Sequence, residues 1–367
     1  MRFPEFTGEW QLHATTDYFE FKNGLNPEAK RFGLGTKFIS VMDILNNRYI
    51  TYDKVIASVL PKDDDLKEFG VNYGDILFQR SSETLEDVGR ANVYLDDKTA
   101  LFGGFVIRGK KIGNYNPLFF RYLLSSPNAR KSIIVKGAGA QHFNISQDGL
   151  SKVLLNVPSI QEQEKISQFI NYIDERIDTQ SKIIEKLESL IKGLCQKLTQ
   201  LGNPNTTLNE CLECYSSTLQ ESSVFEAGDF PVYGATGICG YTDTPEVKGD
   251  SILIIKDGAS VGVTYYASGK YSAIGTLNSL VAKKGYSLRY LYYCLKVFNF
   301  APYRTGLAIP HIYFRDYGKA QIWCPKIEEQ CRIASALEKV EQKIETEKSL
   351  LEQLYSQKRF LLQAMFI

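Results

Sequence analysis

Two stretches of the chain repeat apolar residues on a strict four-three spacing. The first runs through Ile166, Ile170, Ile173, Ile177, Gln180, Ile184, Leu187, Ile191, Leu194 and Leu198. The second runs through Ile333, Leu337, Val340, Ile344, Glu347, Leu351, Leu354, Lys358, Leu361 and Met365. This is a heptad seam, which buries one stripe of a long helix against a partner helix. Gln180 and Glu347 break the seam at the same heptad position. An antiparallel pairing brings them together near the centre, where they can set register. The competing reading is a pair of tolerated polar residues at a leaky site. Ser159 and Glu162 have capping-box spacing at the start of the first helix.

The two helices are copies of each other. Pro158-Ser159-Ile160-Gln161-Glu162-Gln163-Glu164-Lys165-Ile166 matches Pro325-Lys326-Ile327-Glu328-Glu329-Gln330-Cys331-Arg332-Ile333 at an offset of 325 − 158 = 167. The register holds without a gap to the chain end, as expected of helices rather than loops. Before each helix lies a mixed segment of short strand-like runs and glycine-rich turns. Gly74-Asp75-Ile76-Leu77-Phe78 corresponds to Gly249-Asp250-Ser251-Ile252-Leu253, and Phe105-Val106-Ile107 is matched with Ser279-Leu280-Val281. The expected fold class is α+β, an internal pseudo-twofold repeat of two mixed α/β domains separated by two long antiparallel coiled-coil helices. The expected boundaries are domain 1–157, helix 158–200, domain 201–324 and helix 325–367, with Gly202-Asn203-Pro204 as the linker.

Composition narrows the function. The 367 residues carry 43 basic and 42 acidic side chains, a net charge of +1, which excludes a histone-like polycation. Charge is nevertheless segregated. Residues 98–147 hold eight basic and no acidic side chains, and residues 258–315 hold seven basic and none acidic. Acid-free basic surface suits polyphosphate binding, because each neutralised phosphate releases condensed counterions and a nearby carboxylate opposes this. The bland alternative is an ordinary solubilising surface.

Two loops precede the helices at similar places: Lys136-Gly137-Ala138-Gly139-Ala140-Gln141-His142-Phe143-Asn144 and Arg304-Thr305-Gly306-Leu307-Ala308-Ile309-Pro310-His311-Ile312-Tyr313. Two of the three histidines sit there, matched at an offset of 169 (311 − 142). A cation, a glycine bend and a donor-rich tip suit a loop laid against a phosphate backbone or groove edge. The candidate DNA-binding residues are Arg80, Arg108, Lys110, Lys111, Lys136, Gln141, His142 and Asn144 in the first half. In the second they are Lys256, Lys283, Lys284, Arg304, His311, Tyr313 and Arg315. For each one singly, a purely structural role is an even alternative. No phosphate-binding P-loop, methyl-donor fingerprint, nucleophile elbow or zincin motif occurs. Cys211-Leu212-Glu213-Cys214 stands alone without the further ligands that zinc needs. No catalytic site and no metal site are expected. Seven irregularly spaced cysteines fit a reducing cytoplasm. The N-terminus has no signal-peptide pattern, and no apolar run is long enough for a membrane span.

The duplicated Pro-x-Ile-x-Glu-Gln-x-[Lys/Arg]-Ile motif with its long heptad helices resembles the specificity (S) subunit of bacterial type I restriction-modification systems. The opening Arg2-Phe3-Pro4-Glu5-Phe6-Thr7-Gly8-Glu9-Trp10 is similar to the start of many such subunits. The resemblance implies two target-recognition domains, each reading one half of a split site in double-stranded DNA. It implies an antiparallel helix pair formed by central (158–200) and distal (325–367) conserved regions. It also implies docking of two methyltransferase subunits, with two restriction subunits as optional additions. S-adenosylmethionine, ATP and Mg2+ then belong to those partners, and this chain is non-catalytic with no cofactor of its own. The first helix has no counterpart of Lys358, so the copies are not equivalent along the seam. A coiled-coil scaffold without DNA binding, and an unrecognised nuclease, are the competing readings.

Overall fold

The computed structural model describes residues 1–306 and 308–366; Leu307, in the second loop, lies outside them. The chain forms two compact units, Met1–Thr179 with Leu351–Ile367, and Gln180–Leu350. The expected α+β class and internal repeat are both present. The division falls inside both long helices, Ile160–Thr199 and Ile327–Met365, so each unit holds one half of each.

At the centre of the first unit is an antiparallel sheet in the order Phe19–Asn23, Val106–Lys111, Ile76–Gln79, Ala91–Val93. The second unit repeats it with Leu212–Ser216, Leu277–Ala282, Ser251–Ile255 and Thr264–Ala267. Every residue of Ile76–Gln79 and of Ser251–Ile255 is buried. A strand covered on both faces reads as a near-continuous apolar run, as these do. Strand registers place Val106 opposite Gln79 and Leu277 opposite Ile255, an offset of 277 − 106 = 171. The matching of Phe105–Ile107 with Ser279–Val281 therefore slips by three residues.

One helix covers each sheet. Pro117–Ser125 begins at Asn116, whose side chain accepts from the Phe119 amide at 2.9 Å, with Pro117 in the first turn. Leu288–Lys296 begins at Ser287, whose hydroxyl accepts from the Tyr290 amide at 3.3 Å. The duplicated glutamine of the sequence motif explains how these helices are held. Gln163 Oε1 accepts from the Asn116 amide at 3.0 Å while its Nε2 donates to the Pro158 carbonyl at 3.0 Å. Gln330 repeats both bonds, to the Ser287 amide at 2.8 Å and the Pro325 carbonyl at 2.7 Å. One buried amide thus clamps the start of the domain helix to the start of the long helix.

The preceding glutamate behaves differently in the two copies. Glu162 is buried, and Arg2 donates to it from Nε and Nη2 at 2.6 Å each, with Trp10 Nε1 at 3.2 Å. Its amide still meets Ser159 Oγ at 3.4 Å, but the carboxylate does not close the expected capping box, because the guanidinium is the stronger partner. Glu329 pairs instead with exposed Arg332.

The helix seams are buried as their spacing requires. In the first unit Ile166, Ile170, Ile173 and Ile177 are buried, as are Leu354, Leu361 and Met365. In the second, Ile191, Leu337 and Ile344 join one apolar cluster. Each unit contains the early half of one helix and the late half of the other, so the pairing is antiparallel. Lys358, the second break in the seam, reaches Asp174 at 2.7 Å in the first unit. In the second unit Gln180 Nε2 donates to the Glu347 carboxylate and, at 3.0 Å, to the Glu347 carbonyl.

Candidate nucleic-acid interface

Immediately after the central strand of each unit stands a cation, Arg80 or Lys256. The Arg80 amide donates to the Phe105 carbonyl at 2.9 Å, and its carbonyl accepts from the Ile145 amide at 2.9 Å. Lys256 does the same with the Thr276 carbonyl (3.0 Å) and the Ile312 amide (2.9 Å). Each therefore pins one end of a short hairpin. In the first, Ala138 and Asn144 exchange two backbone hydrogen bonds of 2.9 and 2.8 Å; in the second, Thr305 and His311 exchange two of 2.9 and 2.7 Å. The offset is 305 − 138 = 167 and 311 − 144 = 167, the same as that of the long helices.

This corrects the matching of the histidines. His311 is the counterpart of Asn144, not of His142, whose position corresponds to Ile309. The shared feature is a glycine one residue into each turn, Gly139 at φ +142° and Gly306 at φ +87°. A Cβ on Gly139 would overlap the His142 carbonyl, and one on Gly306 would overlap the Ile309 carbonyl. Only glycine closes this turn without strain.

The hairpins present different groups. In the first unit Lys136, Gln141, His142 and Asn144 are exposed. Asn144 Oδ1 accepts from Ser81 Oγ at 2.5 Å, and Nδ2 donates to the His142 carbonyl at 3.3 Å. One amide hydrogen and one lone pair stay available, the set with which an asparagine meets an adenine edge. Arg80 Nη1 donates to the Gly104 carbonyl at 3.2 Å, and among the described residues no carboxylate pairs with its fork.

In the second unit Arg304, Tyr313 and Arg315 are exposed, and Lys256 and His311 half-buried. Arg304 Nη2 donates to the Val261 carbonyl at 3.1 Å, and the Arg315 guanidinium lies 4.9 Å from the Tyr313 ring centroid. His311 Nδ1 is 2.6 Å from Asp257 Oδ1. A carboxylate only accepts, so Nδ1 carries the proton of this bond and Nε2 is the ring nitrogen left to meet another group.

The remaining candidates lie elsewhere. Arg108 is buried, donating Nη1 to the Gly70 carbonyl, and burial pushes its pKa down. It is a core residue of the first unit and presents no guanidinium to DNA. Lys110 and Lys111 end the strand whose other end, Val106, faces Gln79. At ~3.4 Å per residue that is about 14 Å of strand away from Arg80. Lys111 Nζ is tied to the Tyr115 carbonyl at 3.2 Å, and burial lowers its pKa. Lys283 Nζ is tied to the Asn209 carbonyl at 2.7 Å at the corresponding end of the second sheet, with exposed Lys284 beside it. The two hairpins thus gather Arg80, Lys136, Gln141, His142 and Asn144 in one unit, and Lys256, Arg304, His311, Tyr313 and Arg315 in the other.

No group of three or more His, Cys, Asp or Glu side chains is placed to hold a metal among the described residues. Within the CxxC, Cys211 Sγ has Thr206 Oγ1 at 3.8 Å. No helix among the described residues is long and apolar enough to cross a membrane. Sequence reasoning did not find Asp257, the carboxylate that orients His311; it sits one residue outside the acid-free stretch and carries no motif.

Comparison with known proteins decides the family. Residues 7–189 and 215–356 match the family described as the type I restriction modification DNA specificity domain. The chain belongs to that family. Its two matched stretches coincide with the internal repeat. A putative type I restriction enzyme specificity subunit of Haemophilus influenzae is 28% identical over 123 residues, covering 33% of this chain and 31% of that protein. A putative type I specificity subunit of Mycoplasma pneumoniae is 26% identical over 195 residues, covering 48% and 52%. The matches thus span about a third and about half of these relatives' lengths. The S subunit of a type I restriction-modification system from M. genitalium has the same fold, at TM-score 0.62 and 18% identity, over 100% of this chain and 99% of that one. A chain from a structure of type I R-M complex assembly and conformational transition also shares it, at TM-score 0.62 and 14% identity over 98% and 97%.

Proposed function

We propose that this chain is the non-catalytic specificity subunit of a type I restriction-modification complex, reading a bipartite site in double-stranded DNA with one hairpin per unit. The observation that carries the reading is the repeated glycine-pinned hairpin beside a cation, with the same backbone bonds in both units and different side chains at the tips. A common scaffold with divergent tips is what two different half-sites require, since phosphate contacts position and base-edge contacts specify. In this reading Arg80, Lys136, Lys256, Arg304 and Arg315 meet phosphates, and Gln141, His142, Asn144, His311 and Tyr313 face bases. Lys110, Lys111, Lys283 and Lys284 contribute long-range attraction at most.

The proposed division is recognition domains 1–157 and 201–324 with helical regions 158–200 and 325–367. The Gln180–Glu347 contact sets helix register. Two methyltransferase subunits dock on this scaffold in the cytoplasm, with restriction subunits joining them. S-adenosylmethionine, ATP and Mg2+ bind those partners. Coexpression with a cognate methyltransferase subunit, followed by methylome sequencing, tests the reading. A split, asymmetric methylated motif is expected. Methylation at a contiguous motif, or none above a methyltransferase-only control, overturns it.

A further inference from the structure

Beside the first hairpin opens an apolar pocket of about 440 Å³, walled by Phe32, Phe38, Met42, Phe105 and Val106, with Ser81 at its polar edge. Phe105 and Met42 are 70% and 60% exposed, so large apolar side chains face water here. A single exposed phenylalanine needs no explanation, but one that walls a pocket with other apolar side chains marks a binding surface.

The backbone that carries Phe105 is fixed twice. The Val106 amide donates to the Gly103 carbonyl at 2.9 Å, closing a tight turn with Phe105 in its third position. Arg80 grips the same turn, its amide donating to the Phe105 carbonyl at 2.9 Å and its Nη1 to the Gly104 carbonyl at 3.2 Å. The cation that pins the hairpin thus also holds the phenylalanine. The hairpin meets the edge of the pocket a second time, because Ser81 Oγ donates to Asn144 Oδ1. The second unit repeats the turn. There the Leu277 amide donates to the Ile274 carbonyl at 3.0 Å, and the Lys256 amide to the Thr276 carbonyl at 3.0 Å. Thr276 therefore stands where the first unit has Phe105, at the strand offset of 276 − 105 = 171, and it is half-buried. The turn is common to both units, and the exposed ring belongs to the first.

An asparagine that meets an adenine edge meets an A·T pair, and that pair also presents the thymine 5-methyl group in the major groove, where a phenylalanine can pack on it. We propose that Phe105 is a specificity-determining residue of the first half-site: with Met42 it receives the thymine 5-methyl group beside the adenine that Asn144 meets. This deepens the bipartite reading and rests on it. The test uses the full chain assembled with its methyltransferase subunits, on duplexes carrying the methylome-defined motif with uracil in place of each thymine in turn. Uracil keeps the base pair and removes only the methyl group. The wild type is expected to lose about fourfold in affinity at one thymine of one half-site, the worth of one buried methyl. Phe105→Ala should bind the thymine and uracil duplexes alike at that position. Phe105→Thr, which installs the residue the second unit carries in this turn, should lose most of the difference as well and decides the matter if alanine abolishes binding. Uracil in the other half-site should affect all three proteins equally. The thymine-to-uracil ratio is internal to each protein, so a general loss of affinity does not mimic the result. A wild type indifferent to uracil in both halves, or variants that keep the wild-type ratio at every position, overturn the proposal and leave the split motif standing. A contiguous motif, or none, overturns the bipartite reading and this proposal with it.

Discussion

Two kinds of residue carry the recognition units. Gly139 and Gly306 hold backbone geometry, and Asp174 holds charge. At either glycine, an alanine brings left-handed strain of ~1–2 kcal/mol and an overlap with a carbonyl that the turn cannot move. Gly306→Ala is expected to weaken discrimination of one half-site tenfold or more, and Gly139→Ala that of the other. Global unfolding midpoints should barely move, since both glycines are exposed; binding to half-site-randomised duplexes measures the loss of discrimination. Equal damage to both half-sites from one substitution would refute independent hairpins. Asp174 is buried with Lys358, Arg48 and Arg121 around it, and Tyr122 Oη donates to it at 2.8 Å. Removing one member of a buried ion network strands the others, so Asp174→Ala should cost ~3–5 kcal/mol in chemical denaturation. Lys358→Met restores an apolar seam and leaves Asp174 two guanidiniums and a hydroxyl. It should cost much less, under ~1.5 kcal/mol.

At the scale of elements, the helix pair carries a polar contact at the middle of each helix, Gln180 with Glu347. Lys343 and then Gln180 hold the Glu347 carboxyl below the usual range, opposed by burial. A depressed carboxyl contributes stability above its unfolded value of ~4.3, lost as pH falls through the folded value. Denaturation midpoints of Glu347→Gln should therefore fall less than those of the wild type between about pH 5 and pH 3, and a parallel fall would remove Glu347 from the account. The seam, its polar break and the 167-residue offset were legible in the sequence because helical packing admits no insertions. The recognition loops were legible as loops but not in register. Two histidines offered a match at 169, whereas the turn glycines, whose geometry has no substitute, keep 167. Arg108 passed for a surface cation because its strand is covered on both faces, and alternation then says nothing about exposure.

For the whole molecule, both helices run unbroken through the boundary between the units, at Thr179/Gln180 and Leu350/Leu351. One heptad inserted at both points leaves Asp174–Lys358 on one side and Gln180–Glu347 on the other. It adds ~10 Å to each rod and turns it by only ~20°, so the seam stays closed. If the rods measure the spacer, the methylated motif should lengthen by about three base pairs at ~3.4 Å each, with both half-sites unchanged. Four residues inserted at the same points rotate the flanking halves by roughly 40° and misalign the seams, so stability and methylation should fall together. Methylome sequencing of the heptad variant separates the alternatives. A longer spacer between the same half-sites supports rods that measure distance. Unchanged spacing with new half-sites would mean that the helices tune the recognition units instead, and the ruler would have to be abandoned.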